Sequence, residues 1–216
     1  MDVVTPERWD LAIAEFRERE KAEMRARDAL AAARRRLPAV EVDPRLPFTA
    51  IGGGECTLAD LFDGRPQLIV YHHMLRPSDD DPCEGCCLFT DNVGHLDHLE
   101  ARGVTFALSS RAPVDEIEAF RARMGWQRIP WYSDPGSFAA ATGVHGFQLD
   151  VLLRDGDRVL RTYSTTGRGV EALGSTWTFL DLVPYGRQET WEDTPAGRPQ
   201  SEPYVWWRRH GEYTDA

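Results

Sequence analysis

Apolar residues in this chain come in short runs separated by turns. Two of the runs, Leu68-Ile69-Val70-Tyr71 and Val104-Thr105-Phe106-Ala107-Leu108, are apolar at successive positions, as expected of strands covered on both faces. A helix is predicted between them from about Cys86 to Glu100, and a well-marked amphipathic helix follows from Val114 to Met124. Strands alternating with helices in this way predict an α/β fold, a central sheet with parallel neighbours flanked by helices. Shorter strands are expected at Val40–Val42 and around Phe48, with a glycine turn at Gly52-Gly53-Gly54 and one helical turn over Leu58–Phe62. Further on, a short helix should end at Gly143. Gln148–Arg154 and Arg158–Ser164, joined by Asp155-Gly156-Asp157, read as an antiparallel hairpin, and a last helix is expected from Val170 to Leu182.

The two ends differ from this middle. Thr5-Pro6-Glu7 is a helix start, and the Ala-, Glu- and Arg-rich stretch to Arg36 carries favourable pairs such as Glu15 with Arg19 and Glu23 with Arg27. Trp9, Ile13 and Phe16 give it only a thin apolar stripe. Arg34-Arg35-Arg36 suit the negative end of the helix dipole, and Pro38 stops the helix. The tail from Pro184 has no period but carries Trp191, Trp206 and Trp207. Aromatics at that density are expected to pack over the domain or across a homodimer. The predicted organisation is therefore an N-terminal helical extension (1–37), a central domain (38–183) and a C-terminal aromatic-rich arm (184–216).

Charge narrows the partners. The 216 residues carry 35 acidic and 25 basic side chains for a net charge of −10, a field that repels phosphates and anionic headgroups. Nucleic acid and membrane surfaces are thereby excluded as expected partners. No basic leader precedes an apolar stretch, and no run approaches the roughly 20 residues of a membrane span, so the expected location is the cytoplasm. In that compartment clustered cysteines point to catalysis, redox sensing or metal binding before structural staples.

Such a cluster is present. Cys83-Glu84-Gly85-Cys86-Cys87 stands a short loop after the first apolar strand and opens the helix that follows. A Cys-x-x-Cys at a helix start brings two sulfurs within bonding reach, and the helix N-terminus favours a thiolate. On this reading Cys83 is the nucleophile and Cys86, one turn on, resolves the mixed disulfide. The acidic neighbours Asp79-Asp80-Asp81 and Glu84 should oppose thiolate formation and keep Cys83 near an unperturbed thiol. Cys87 reads as a buried small hydrophobe and Cys56 as a lone core thiol. His72 and His73 point to opposite faces of their strand. One of them could serve the sulfurs as a base, or join Cys83 and Cys86 around zinc or copper. Asp91, His95 and His98 would share one helical face with metal-ligand spacing, although that face should be exposed.

The order of these elements, together with Leu58-Ala59-Asp60-Leu61-Phe62-Asp63-Gly64, Cys83–Cys86, Ser110-Arg111-Ala112-Pro113, Met124-Gly125-Trp126, Tyr163-Ser164-Thr165 and Trp207-Arg208-Arg209-His210, resembles the bacterial thioredoxin-like family catalogued as domain of unknown function 899. The resemblance covers nearly the whole chain. It implies a thioredoxin-like central mixed sheet, a thiol–disulfide oxidoreductase centre at Cys83 and Cys86 without cofactor or metal, and a cis-proline facing that centre, for which Pro130 is the candidate. The implied partners are a small-molecule or protein disulfide substrate and a recycling reductase. Two alternatives remain open. One is a peroxiredoxin-like peroxidase, although no threonine or serine stands just before Cys83. The other is a non-catalytic metal-binding or interaction protein.

Overall fold

The computed structural model describes residues 2–194, 196–210 and 212–213. Two compact units make up the chain, residues 1–39 and 40–216. The first is essentially one helix, α1 (Pro6–Arg34), opened by Thr5, whose hydroxyl accepts the Arg8 N–H at 3.4 Å. Pro6 sits where a missing N–H costs nothing. Pairs along the helix, Arg27 with Glu23 at 3.0 Å and Lys21 with Glu18 at 2.6 Å, support it, and none of its residues is buried.

The second unit is built on eight strands: β1 (Val40–Val42), β2 (Pro47–Ala50), β3 (Glu55–Thr57), β4 (Gln67–His72), β5 (Val104–Ser110), β6 (Trp131–Ser133), β7 (Gln148–Asp155) and β8 (Arg158–Thr165). Its helices are α2 (Glu84–Asp91), α3 (Asp97–Glu100), α4 (Val114–Arg123), α5 (Ser137–Thr142), α6 (Arg168–Glu171) and α7 (Ser175–Leu180). The strands form one mixed sheet in the order β1-β8-β7-β4-β5-β6-β2-β3. β4 runs parallel to β5 and β5 to β6, whereas β7 is antiparallel to β4 and to β8. The four strands β8-β7-β4-β5, with α2 between the parallel pair, are the thioredoxin-like core, and β6 with α5 is inserted between α4 and β7.

Alternation along β4 explains why both of its faces are apolar. Leu68 and Val70 enter one buried layer with Leu61, Phe62, Ala107, Phe138 and Leu152. Tyr71 enters the other with Cys86, Phe89, Leu108, Ile117, Phe120, Trp131 and Trp177. Helices α2 and α4 therefore cover one face and α5 the other. The β7–β8 hairpin turns at Gly156, whose φ of 63° needs a residue without a side chain.

Two predicted helices are broken. The one expected over 86–100 ends at Asp91 and resumes only at Asp97. The cause is Asn92, whose Nδ2 donates back to the Leu88 carbonyl at 2.7 Å while its Oδ1 accepts from Ser175 Oγ at 2.7 Å and from the Thr176 N–H at 2.8 Å. A side chain that caps its own helix and the start of a distant one cannot also continue a helix. The predicted helix over 170–182 is likewise two pieces, α6 and α7, and Leu58–Phe62 is a turn followed by a short 3-10 segment at Asp60–Phe62.

Candidate active site

Pro82 leads into α2, and Cys83 is the residue before its first turn, with non-helical backbone (φ −49°, ψ 114°). Its sulfur takes the place of a capping oxygen and accepts the Cys86 N–H at 3.3 Å. A helix that begins on a sulfur directs its unpaired N–H groups at that sulfur. The hydrogen bond from the Cys86 thiol, assisted by the N–H groups of Cys86 and Gly85, pulls Cys83 down to about 7, against burial and the Glu84 carboxylate. Burial drives Cys86 the other way, well above an ordinary thiol. The Cys86 sulfur accepts the Met74 N–H at 3.5 Å and a hydrogen bond from Tyr71, whose phenol burial keeps protonated. One sulfur is half-exposed and acidic and the other buried and basic, a division of labour set by position in the first turn.

Cys87 is buried, and burial pushes it up to about 12 even with Arg209 beside it. All four cysteines, Cys56 in β3 included, are free.

The acidic loop does not act on Cys83 as its sequence implies, a correction with a clear physical reason. Asp79 is spent on the N–H groups of Arg76 and Asp81, both at 3.3 Å, while Asp81 pairs with the buried Arg209 at 2.7 Å. The same guanidinium reaches the Pro82 carbonyl and the Glu212 carboxylate. Arg208 lies 3.6 Å from Glu84. Two arginines of the C-terminal arm thus neutralise the carboxylates nearest the thiols.

The arm also roofs the site. Trp207 packs so closely on Gly85 that a β-carbon there would stand 2.5 Å from its ring. Its indole meets Trp177 edge-on at 5.7 Å. Between them and the sheet is a narrow cavity of about 40 Å³ lined by Cys83, Tyr71, Phe147, Val170, Trp177 and Trp207. At its base the arm is fixed by Arg187, which pairs with buried Glu171 and with Asp181, both at 2.7 Å, and by Glu189, which accepts the Trp206 indole N–H at 2.9 Å.

Pro130 is not part of this site. No peptide bond among the described residues is cis, and Pro130 precedes β6, which pairs with β5 on the side away from the dithiol. The chain crosses in front of Cys83 just before β7, the strand beside β4, and the residue there is Phe147. The inserted β6 placed a proline at the start of the wrong strand.

His72 and His73 do take opposite faces, and among the described residues neither hydrogen-bonds a sulfur. His72 lies flat on Phe138, its centroid 4.9 Å away, with Nε2 2.9 Å from Asp150 and Nδ1 3.4 Å from Ser109 Oγ. Asp150 is fully buried and also accepts from Arg161 Nε at 2.7 Å and from Gln148. With its charge spent on Arg161, this group is a structural lock rather than a catalytic triad. His73 sits among Phe120, Trp126 and Trp131, and its ring nitrogens have no partner among the described residues. Burial lowers it to about 3, so it is neutral.

The broken helix separates Asp91 from His95 and His98. Asp91 instead accepts from the Trp126 indole at 2.8 Å and meets His210 at 2.8 Å. Among the described residues no three His, Cys, Asp or Glu side chains converge as metal ligands.

Trp207 belongs to the aromatic arm that the sequence expects to pack over the domain, and it does so beside Cys83. Tyr71, Phe147 and the role of Arg209 were not foreseen. Strand alternation held a signal for Tyr71, which shares the face of His73; Phe147 and Arg209 reach the thiols only through the tertiary fold.

Comparison with known proteins adds a family. The family model described as "Bacterial protein of unknown function (DUF899)" matches residues 1–213. The chain belongs to this family. No curated protein matches it. Among solved structures, Xanthomonas campestris peroxiredoxin Q aligns with a TM-score of 0.47 at 20% identity, covering 65% of this chain and 96% of that one. A secreted Mycobacterium tuberculosis disulfide oxidoreductase homologous to E. coli DsbE aligns with a TM-score of 0.40 at 15% identity, covering 62% and 94%. In this DUF899 chain no helix among the described residues is long and apolar enough to cross a membrane.

Proposed function

We propose that this chain is a thiol–disulfide oxidoreductase in which Cys83 attacks and Cys86 resolves. The observation that supports it is the asymmetry of the pair: an accessible sulfur lowered to about 7 at a helix start, one turn from a buried sulfur raised well above it. The Cys83 thiolate attacks one sulfur of a substrate disulfide, forming a mixed disulfide and expelling the other half as a thiolate that takes a proton. Cys86 gives up its proton and attacks Cys83. The Cys83–Cys86 bond forms, the second half of the substrate leaves as a thiol, and the two electrons of the dithiol have reduced the substrate bond. The Tyr71 phenol and the Met74 N–H stabilise charge on Cys86 as it attacks. An external thiol reductant must return the pair to the dithiol, which fits a reducing compartment such as the cytoplasm.

The cavity under Trp207 and Trp177 is narrow and almost wholly apolar, which favours small disulfides with apolar substituents over folded proteins. The peroxidase alternative has less support: no arginine or hydroxyl side chain hydrogen-bonds the Cys83 sulfur among the described residues.

Thiol counting by mass spectrometry tests the reading. A mild oxidant should form one bond, between Cys83 and Cys86, and Cys86→Ser should accumulate a stable mixed disulfide on Cys83 with a small dialkyl disulfide. Failure of that bond to form under any oxidant that leaves the fold intact would end the proposal.

A further inference from the structure

A second site stands at the carboxyl end of the parallel strands. After β5 the chain passes to α4 on one face of the sheet, as Ile117 and Phe120 in that layer show; after β6 it passes to α5 on the opposite face, where Phe138 is buried. Two neighbouring parallel strands whose connections leave to opposite faces open a crevice between their ends, the place where open α/β sheets bind ligands. The crevice is present here, with a volume of about 170 Å³. Residues from the ends of all three parallel strands line it, including Arg76, Ser109, Ser110, Arg111 and Asp134, and His145 completes the rim.

The chemistry of the lining is one-sided. The acid in the wall, Asp134, is buried and already accepts three backbone N–H groups, from Gly136 at 2.8 Å, Phe138 at 3.3 Å and Ala139 at 3.0 Å. Asp150, below His72, is spent on Arg161, His72 and Gln148. The unspent groups are donors. Arg76 and Arg111 are exposed at the rim, and neither guanidinium has an ion-pair partner among the described residues. Arg111 extends from the end of β5 to the loop after β6, its guanidinium carbon 2.8 Å from where a Gly136 β-carbon would stand, so it spans the crevice mouth. Ser110 Oγ accepts the Trp131 indole N–H at 2.9 Å, which leaves its hydroxyl proton to give away. Two unpaired guanidiniums over a hydroxyl floor form a cationic pocket in a chain of net charge −10.

We infer that this crevice binds a small organic anion, a carboxylate held by Arg111 and Arg76 with Ser110 at the floor. A volume of about 170 Å³ is that of about six waters, which limits the ligand to a few carbons. The site is separate from the dithiol cavity, with which it shares no lining residue.

Trp131, bonded to Ser110, is a built-in reporter. Full-length protein would be titrated with acetate, succinate and inorganic phosphate, and with acetamide as the uncharged match of acetate, while tryptophan emission is followed at fixed ionic strength. A saturable change with a carboxylate and none with acetamide is expected, together with at least a tenfold loss of affinity in the Arg76→Met/Arg111→Met double variant. Both positions are exposed, so the variant should keep its melting temperature and its rate of Cys83 alkylation by neutral iodoacetamide. Tighter binding of phosphate than of either carboxylate would overturn the assignment of the ligand as a carboxylate. No saturable response to any anion, an equal response to acetamide, or unchanged affinity in the double variant would overturn the site itself.

Discussion

The Cys83–Cys86 hydrogen bond makes a quantitative prediction for the reactivity of Cys83. With its pKa near 7, half of Cys83 is thiolate at neutral pH, against about 3% for a free thiol of pKa about 8.5, a ratio of about 16. A weaker base is also a weaker nucleophile: over about 1.5 pKa units, with a Brønsted slope of about 0.45, the intrinsic rate falls about fivefold. The net advantage over an unperturbed thiol is then about threefold at pH 7 and about sixfold at pH 6, and it reverses above about pH 7.8, where Cys83 is already mostly ionised and the free thiol, the stronger nucleophile, is still gaining thiolate. Cys86→Ala removes the largest cause of the lowering while keeping the backbone N–H at position 86, so the midpoint should move up and the advantage at pH 6 should disappear. Iodoacetamide alkylation resolved by peptide mass spectrometry from about pH 5 to 10 measures both curves, since burial holds Cys87 up at about 12 and keeps it silent over most of that range. A native midpoint at or above about 8.5, or one that does not move in Cys86→Ala, would show that the sulfur–sulfur hydrogen bond is not what sets the reactivity.

Two further outcomes follow from neighbouring residues. His73 has an ordinary value of 6.5 lowered to about 3 by burial, so the unfolded chain binds its proton first: this contribution to stability is complete above about pH 6.5 and is lost as pH falls, by about 2 kcal/mol at pH 5. His73→Phe should flatten the difference in denaturation midpoint between pH 7 and 5, and an unchanged difference would refute the assignment. Gly85→Ala would place a methyl group 2.5 Å from the Trp207 ring, so it should cost about 1–3 kcal/mol in urea unfolding and speed Cys83 alkylation severalfold by displacing the lid; unchanged alkylation would mean that Trp207 does not limit access.

What could be read from the sequence was what local chemistry decides. Thr5-Pro6 opens a helix wherever it stands, Gly156 turns a hairpin because its φ is positive, and β4 and β5 announce their burial by apolar residues on both faces. Cys83 at the start of a helix belongs with these, since capping is a property of the first turn. The errors share one cause, a distant residue that changes what a local pattern means. Asn92 reads as an ordinary helix position until Ser175 and Thr176 are found on its carboxamide. Pro130 reads as the proline before a core strand until β6 proves to be an insertion on the far side of β5.

The acidic loop shows how much such a residue can change. Taken alone, Asp79-Asp80-Asp81 and Glu84 raise the cost of a thiolate, and the inference from like charge is sound as electrostatics. Arg208 and Arg209 stand at the far end of the chain, and only the folded arm sets them against Glu84 and Asp81. Asp81 is itself largely exposed, so this ion pair stabilises the fold only modestly. Its consequence is positional: the guanidinium that holds Asp81 also binds the Pro82 carbonyl, the last peptide before Cys83, and lies beside Cys87. The group that cancels the unfavourable field is therefore the one that fixes the backbone entering the helix. In an arm released from Asp81 and the Pro82 carbonyl, Trp207 would lose its seat and the two carboxylates would lose their counter-charges. The docked arm thus does two things at once: Trp207 limits access to Cys83, and Arg208 and Arg209 set positive charge against Glu84 and Asp81.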